Sequence, residues 1–164
     1  MKTRKALRLK YYNYSEIGLY YITICTHNKE KILCSINEKI CDVNFDEIEF
    51  EKYIEYTEIG YICRIAIDSI EKNYENVKVD NFVIMPNHIH LILRIEDKYD
   101  NNISKIISYY KSYVSREYNK MTNNKNEIWQ KSFYEHVIRN DDDYKRIVEY
   151  VVYNPLKWKV DEYY

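Results

Sequence analysis

The stretch Met85-Pro86-Asn87-His88-Ile89-His90-Leu91-Ile92-Leu93 decides how this chain folds. From His88 onward the pattern has a period of two, so residues 88–95 read as a β-strand. Ile89, Leu91, Leu93 and Ile95 then enter a core from one face, while His88 and His90 project together from the other. Met85-Pro86-Asn87 is a turn signal. The run 77–85 before it therefore reads as a second strand, hairpinned to the first.

Working outward, residues 19–26 (LYYITICT) are β-branched and aromatic, as in a buried strand. Residues 31–50 read as a loose hairpin excursion. Thr57 can cap a helix running to about Tyr74, because Ile59, Ile62, Cys63, Ala66, Ile67 and Ile70 recur at helical spacing. Asn102 or Ser104 opens another helix, to about Lys120, with Ile103, Ile106, Ile107, Tyr110, Val114 and Tyr118 as its inward stripe. Residues 133–138 give a fourth strand. Asn140–Asp142 supply N-cap chemistry for a last helix, which Pro155 ends. The order strand, helix, strand, strand, helix, strand, helix predicts an α+β fold. It fits a ferredoxin-like βαββαβ antiparallel sheet with helices on one face, followed by a C-terminal helix.

Bulk properties narrow the function classes. The 164 residues suit one domain spanning 1–164, with a basic N-terminal arm over residues 1–10. Glycine and proline number two each, and Gly18 and Gly60 lie too far apart for a Walker loop or a dinucleotide-binding turn. No stretch approaches a membrane span and no apolar leader follows Met1, so a cytoplasmic protein is expected. Cys25, Cys34, Cys41 and Cys63 lack C-x-x-C spacing and read as free thiols in a reducing compartment. Net charge is −1, but its distribution is uneven. Lys2, Arg4, Lys5, Arg8 and Lys10 crowd the first ten residues, whereas residues 38–58 are strongly acidic. Such segregation suits a polyanion on one face only, or simply a solvated tail. Twenty tyrosines are in excess of any ordinary chain, and composition does not say which of them does chemistry.

Two features carry chemistry. Side chains two apart on a strand start about 7 Å from each other, close enough for His88 and His90 to converge on one divalent cation. Two surface histidines on an exposed strand face are the plain alternative. In the last helix Tyr144, Ile147, Val148, Val151 and Val152 form an apolar stripe, and Tyr150 falls beside it with Asn154 one turn on. Taken alone, such a tyrosine is an amphipathic edge residue with its hydroxyl in water.

Together these residues resemble a known family. Arg4–Leu9 with Tyr14, Gly18, Tyr21 and Thr23-Ile24-Cys25-Thr26, then Phe82–His90, Ile128-Trp129-Gln130, Tyr134-Glu135-His136, Arg139-Asn140, and finally Glu149-Tyr150 with Asn154-Pro155 are similar to the REP-associated tyrosine transposases. These are single-tyrosine transposases of insertion-sequence type with a His-hydrophobic-His (HUH) strand. The resemblance spans about residues 4 to 158. It implies that His88 and His90 are metal ligands, that Tyr150 is the nucleophile and that Asn154 completes the metal site. It also implies a ferredoxin-like fold with the catalytic tyrosine on a helix against the HUH strand.

That assignment is chemically coherent. A phenol with a pKa of about 10 is a poor nucleophile at neutral pH and needs a Lewis acid beside the phosphate. Two imidazoles and a carbonyl oxygen suit Mg²⁺ or Mn²⁺ with positions left for phosphate oxygens. The implied activity is metal-dependent cleavage and strand transfer of single-stranded DNA flanked by hairpins, through a 5′-phosphotyrosine. DNA contacts are expected from Arg4, Arg8 and Lys10, from Lys105, Lys111, Arg116 and Lys120, and from Arg139, Lys157 and Lys159. Trp129 and exposed tyrosines are expected to stack on unpaired bases. His136 is a further contact or a structural histidine. Monomer and homodimer both remain open. The alternatives are a hairpin-binding regulatory module of the same fold without cleavage, and a phosphodiesterase that uses water in place of Tyr150.

Overall fold

The computed structural model describes residues 17–37, 53–97, 102–161 and 163. Arg4, Arg8, Lys10, Cys41 and most of the acidic excursion lie outside the described residues.

Four strands form one antiparallel sheet: β1 (Gly18–Cys25), β4 (Val77–Ile84), β5 (His88–Ile95) and β6 (Tyr134–Ile138), in the order β4-β5-β1-β6. β5 has the bounds its alternation predicts. Among the described residues, the excursion expected over 31–50 contributes β2 (Cys34–Ile36), which pairs with β3 (Ile54–Tyr56), a strand beyond the expected bounds.

The two faces of the sheet carry different helices. Tyr20, Ile22 and Ile24 of β1 and Ile89, Leu91, Leu93 and Ile95 of β5 are buried against α1 (Glu58–Asp68) and α3 (Ile103–Thr122). The opposite face packs Val83, Ile92 and Ile138 against Ile147 and Val151 of α4 (Asp141–Tyr153). The expectation of helices on one face therefore holds for α1 and α3, and the last helix covers the other face.

Local chemistry sets the boundaries. Thr57 caps α1, its hydroxyl accepting from Gly60 N at 3.2 Å. Asn102 and Asn140 cap α3 and α4 in the same way. The helix expected to run to Tyr74 instead breaks at Ser69, whose hydroxyl donates back to Ala66 O at 2.7 Å. A short helix, α2 (Ile70–Asn73), follows and lets Glu71 accept from Val79 N at 2.8 Å. At the other end Asn154 keeps helical angles (φ −56°, ψ −40°) despite preceding proline. Pro155 ends only the α-helical part, and the chain tightens into a 3₁₀ segment, Asn154–Val160, in which Pro155 occupies a first-turn position that needs no N–H. That continuation turns Trp158 back onto the sheet.

Candidate active site

The site is built on the middle of the sheet. Register places Thr23 opposite His90 and Cys25 opposite His88. Because both strands alternate, Tyr21, Thr23, His88 and His90 share the face under α4. The Met85-Pro86-Asn87 turn is clamped from outside. Thr26 donates its N–H (2.9 Å) and its hydroxyl (3.0 Å) to Asn87 O, and Leu33 N donates to Pro86 O at 3.0 Å.

Both histidines are fully buried, at 0% exposure, which rejects the reading of two surface imidazoles. Their Nε2 atoms lie 3.0 Å apart, so rings that start a strand period apart converge at their tips. The other ring nitrogen of each is anchored. Asn87 Oδ1 lies 2.9 Å from His88 Nδ1, while the amide nitrogen of Asn87 donates to Lys29 O and to Tyr163 O. A carbonyl oxygen only accepts, so neutral His88 carries its proton on Nδ1 and presents a bare Nε2. His90 Nδ1 meets two hydroxyls, Tyr21 Oη at 2.8 Å and Thr23 Oγ1 at 2.9 Å. Hydroxyls donate or accept, so His90 is free to take either tautomer.

Burial holds the pair neutral. It depresses the pKa of His88, with Lys29 acting the same way and Asp161 and Asn154 opposing. It depresses His90 as well, the neighbouring His88 adding to the effect. Neutral imidazoles are the form that binds metals. Burial likewise pushes the Tyr21 phenol well above its ordinary range, against the Thr23 hydrogen bond, so Tyr21 keeps its proton.

α4 brings Tyr150 to the His90 end. The Tyr150 ring centroid lies 5.3 Å from that of His90 and 6.4 Å, edge-on, from that of Tyr21. A cleft of about 760 Å³ opens here, lined by Tyr21, Thr23, His136, Arg146, Tyr150 and Lys157 among others. Asn154, one turn beyond Tyr150, is buried at 1% exposure. Its amide nitrogen donates to Asp161 Oδ2 at 2.9 Å, which fixes the orientation of the amide. Its Oδ1 is buried, makes no hydrogen bond of ordinary geometry among the described residues, and acts on His88, whose protonated form it favours. Such an acceptor is uncommon and calls for an explanation.

The remaining expected contacts fare differently. Trp129 is a correction. It is 6% exposed, packs near Tyr110, and donates its indole N–H to Lys111 O at 3.2 Å, so it offers no face to an unpaired base. The isolated bridge Thr26–Trp129 pulls it inward. Lys111 is a second correction: its ammonium donates to the carbonyls of Gln130 and Ser132 and ties α3 to the loop before β6. Lys105, Lys111, Arg116 and Lys120 all ride on α3, across the sheet from Tyr150. Arg139 is exposed just before α4. His136 lines the cleft and pairs with Asp143 (Nε2 to Oδ2, 2.7 Å). Tyr21, Thr23, Asn87 and Asp161 are site residues that the motif reading left without roles. The sequence signals for the first two are their place in the family-like run and their i, i+2 spacing in β1, with a polar Thr in an apolar run.

The fold and the site define a class. The chain belongs to the IS200-like transposases, the family described as "Transposase IS200 like" matching residues 19–154. An uncharacterized protein of Haemophilus influenzae is 29% identical over 98% of this chain and 93% of its own length. The REP-associated tyrosine transposase of Escherichia coli is 31% identical over 58% of this chain and 54% of its own, so that match spans about half of the relative. Among solved structures, that of a REP-associated tyrosine transposase bound to a REP hairpin superposes with a TM-score of 0.60 at 21% identity, over 92% of this chain and 74% of that one, and it shows the same fold. Among the described residues no helix is long and apolar enough to cross a membrane.

Proposed function

We propose that this protein cleaves and rejoins single-stranded DNA next to hairpins, with Tyr150 as nucleophile and a divalent cation, Mg²⁺ or Mn²⁺, held by His88 and His90 Nε2 and Asn154 Oδ1. The observation that carries the reading is the placement of Tyr150 against His90, whose Nε2 converges with that of His88 at 3.0 Å.

The donor set fits a hard divalent cation. Among the described residues no third His, Cys, Asp or Glu joins the pair to make a metal cluster. The buried Asn154 Oδ1, which makes no hydrogen bond of ordinary geometry among the described residues and acts on His88, supplies the oxygen that Mg²⁺ or Mn²⁺ favours, and two neutral nitrogens with one amide oxygen leave positions for phosphate. Bound there, such a cation withdraws charge from a phosphate oxygen and eases attack on phosphorus.

The chain's own residues do the rest. The α4 stripe, buried through Ile147 and Val151, holds Tyr150 at the His90 end. Arg146 and Lys157 line the cleft and hold the backbone phosphates that enter it. The Tyr150 oxygen–phosphorus bond forms as the phosphorus–O3′ bond breaks. The phenol loses its proton and the departing 3′-oxygen gains one. The phosphotyrosine conserves the energy of the phosphodiester, so attack by a 3′-hydroxyl reverses the step without ATP, consistent with a sequence too poor in glycine for a phosphate-binding loop. One chain supplies the histidine pair and the tyrosine together, which favours action as a monomer.

The test is trapping of a covalent protein–DNA adduct on hairpin-flanked single strands with Mn²⁺ or Mg²⁺. Wild type is expected to form it and Tyr150→Phe to bind without forming it. An adduct on Tyr150→Phe overturns the assignment. Binding by wild type with no cleavage indicates the silent hairpin-binding module, and a free 5′-phosphate product indicates hydrolysis by water.

A further inference from the structure

With Trp129 buried, the aromatic surface for an unpaired base has to come from elsewhere. Three aromatic side chains are strongly exposed among the described residues: Tyr61, Tyr109 and Tyr134. Tyr61 belongs to α1 and packs on Tyr56, and Tyr109 belongs to α3, so both lie across the sheet from Tyr150. Tyr134 is different: it is 44% exposed and lines the cleft together with Tyr150. Strand register explains why. Tyr134 stands opposite Thr23, and Thr23 stands opposite His90, so the three form one row across β6, β1 and β5 on the face under α4. Two strand spacings, about 10 Å, separate the backbones of Tyr134 and His90. The Tyr134 ring meets that of Tyr21 edge-on with centroids 6.3 Å apart, and Tyr21 in turn meets Tyr150. Such an edge contact braces a ring without covering it. His136, two residues on and on the same face, is fixed by Asp143 (Nε2 to Oδ2, 2.7 Å), so the adjoining wall of the cleft is held as well.

We propose that Tyr134 is a stacking platform for one unpaired base beside the scissile phosphate. The proposal rests on the reading of single-stranded DNA as the substrate that Tyr150 attacks. A strand whose phosphate sits by Tyr150 and His90 has its neighbouring base inside the same cleft, and the exposed ring it meets there is Tyr134. Every base has a π-face, so the platform tolerates any sequence. Bases within a duplex already cover one another's faces and offer none to a ring at the side. The platform therefore admits single strands and turns away paired ones without reading a base edge. It also holds the strand by a contact that salt does not screen, unlike the phosphate contacts of Arg146 and Lys157.

The experiment needs no cleavage and no known hairpin. Tyr150→Phe protein is titrated into two fluorescein-labelled strands, dT10 and an abasic strand of the same length that keeps the phosphates and lacks the bases. Adding Tyr134→Ala or Tyr134→Leu is expected to weaken dT10 binding by about 5- to 100-fold, the range for losing one base–aromatic stack. The same variants are expected to leave abasic binding and the log–log salt slope for dT10 unchanged, because no phosphate contact is removed. Tyr134→Phe keeps the ring and is expected to stay within about twofold of the parent on dT10. Circular dichroism confirms that the variants fold. Equal losses on the two strands show that Tyr134 only supports β6, and parental affinity of Tyr134→Ala for dT10 shows that no base rests on it; either overturns the platform. A loss in Tyr134→Phe as large as in Tyr134→Ala also overturns it, by assigning the contact to the hydroxyl. Absence of dT10 binding overturns both readings. A base-dependent loss without adduct formation by wild type overturns the role of Tyr150 alone.

Discussion

His88 and His90 face each other through their Nε2 atoms at 3.0 Å, and at most one proton fits between those nitrogens. Asn87 Oδ1 commits the His88 proton to Nδ1. Without a cation, then, His90 donates its Nε2–H to His88. Were the proposed cation held by both Nε2 atoms, the His90 proton would sit on Nδ1 and be accepted by Tyr21 or Thr23. The hydroxyls of β1 make both arrangements available at little cost.

Asn87→Ala is accordingly expected to weaken Mn²⁺ binding by about 10- to 100-fold, the usual consequence of removing a partner that orients a ligating histidine. His90→Ala is expected to abolish binding. Isothermal titration with Mn²⁺ reads both. Equal affinity in wild type and Asn87→Ala contradicts the role given to the amide.

α4 is fastened at its N-terminal half to an edge strand. Tyr144 donates its hydroxyl to Asp80 Oδ2 at 3.1 Å, and Asp80 also accepts from Arg94 Nε at 2.9 Å. Tyr144→Phe is expected to cost about 1 kcal/mol in urea denaturation, the usual value of one hydrogen bond. Asp80→Ala is expected to cost more, because it leaves both partners unmatched. The order of the two losses is the check.

The opposite edge strand holds α4 through His136 and Asp143. The His136 hydrogen bond, with help from Arg146, holds the Asp143 carboxyl below the usual range. A depressed carboxylate pKa stabilises the folded state above the unfolded value of about 3.9, and that contribution is lost as pH falls through the folded value. Melting temperatures between about pH 2 and pH 6 are expected to fall less steeply for Asp143→Asn than for wild type. Superimposable acid limbs contradict the pairing.

Gly60 sits where α1 crosses the approach to β2. A Cβ at this position meets Leu33 O at 2.0 Å, a backbone atom that cannot swing aside. Gly60→Ala is expected to destabilise the protein by about 3 kcal/mol or more in chemical denaturation, the upper range for overpacking. A loss under about 1 kcal/mol shows that the helix slides to make room.

Local signals account for most of the sheet and for the caps. β5 was legible because its apolar residues alternate without interruption, and Asn102 and Asn140 because side-chain oxygens satisfy the first turn of any helix. Long-range events were not legible. Trp129 stands in an aperiodic stretch, and its bridge to Thr26 and its contacts with Tyr110 and Lys111, all long-range, bury it. The burial of His88 and His90 depends on chain continuing past Pro155, against that residue's usual effect. Tyr21 and Thr23 enter the site through strand register, which is a property of two segments and is written in neither alone.

β5 divides labour at the scale of a single residue. Ile89 and His90 are covalent neighbours, yet one is judged by the fit of α1 and α3 and the other, on the proposed function, by reactivity beside Tyr150. Substitutions among Ile89, Leu91 and Leu93 can therefore drift with the packing helices while the reactive face stays fixed. An insertion or deletion of one residue in this strand exchanges the two faces, and no compensating point mutation restores them. Variation among functional relatives should accordingly be rich in aliphatic swaps here and empty of length changes.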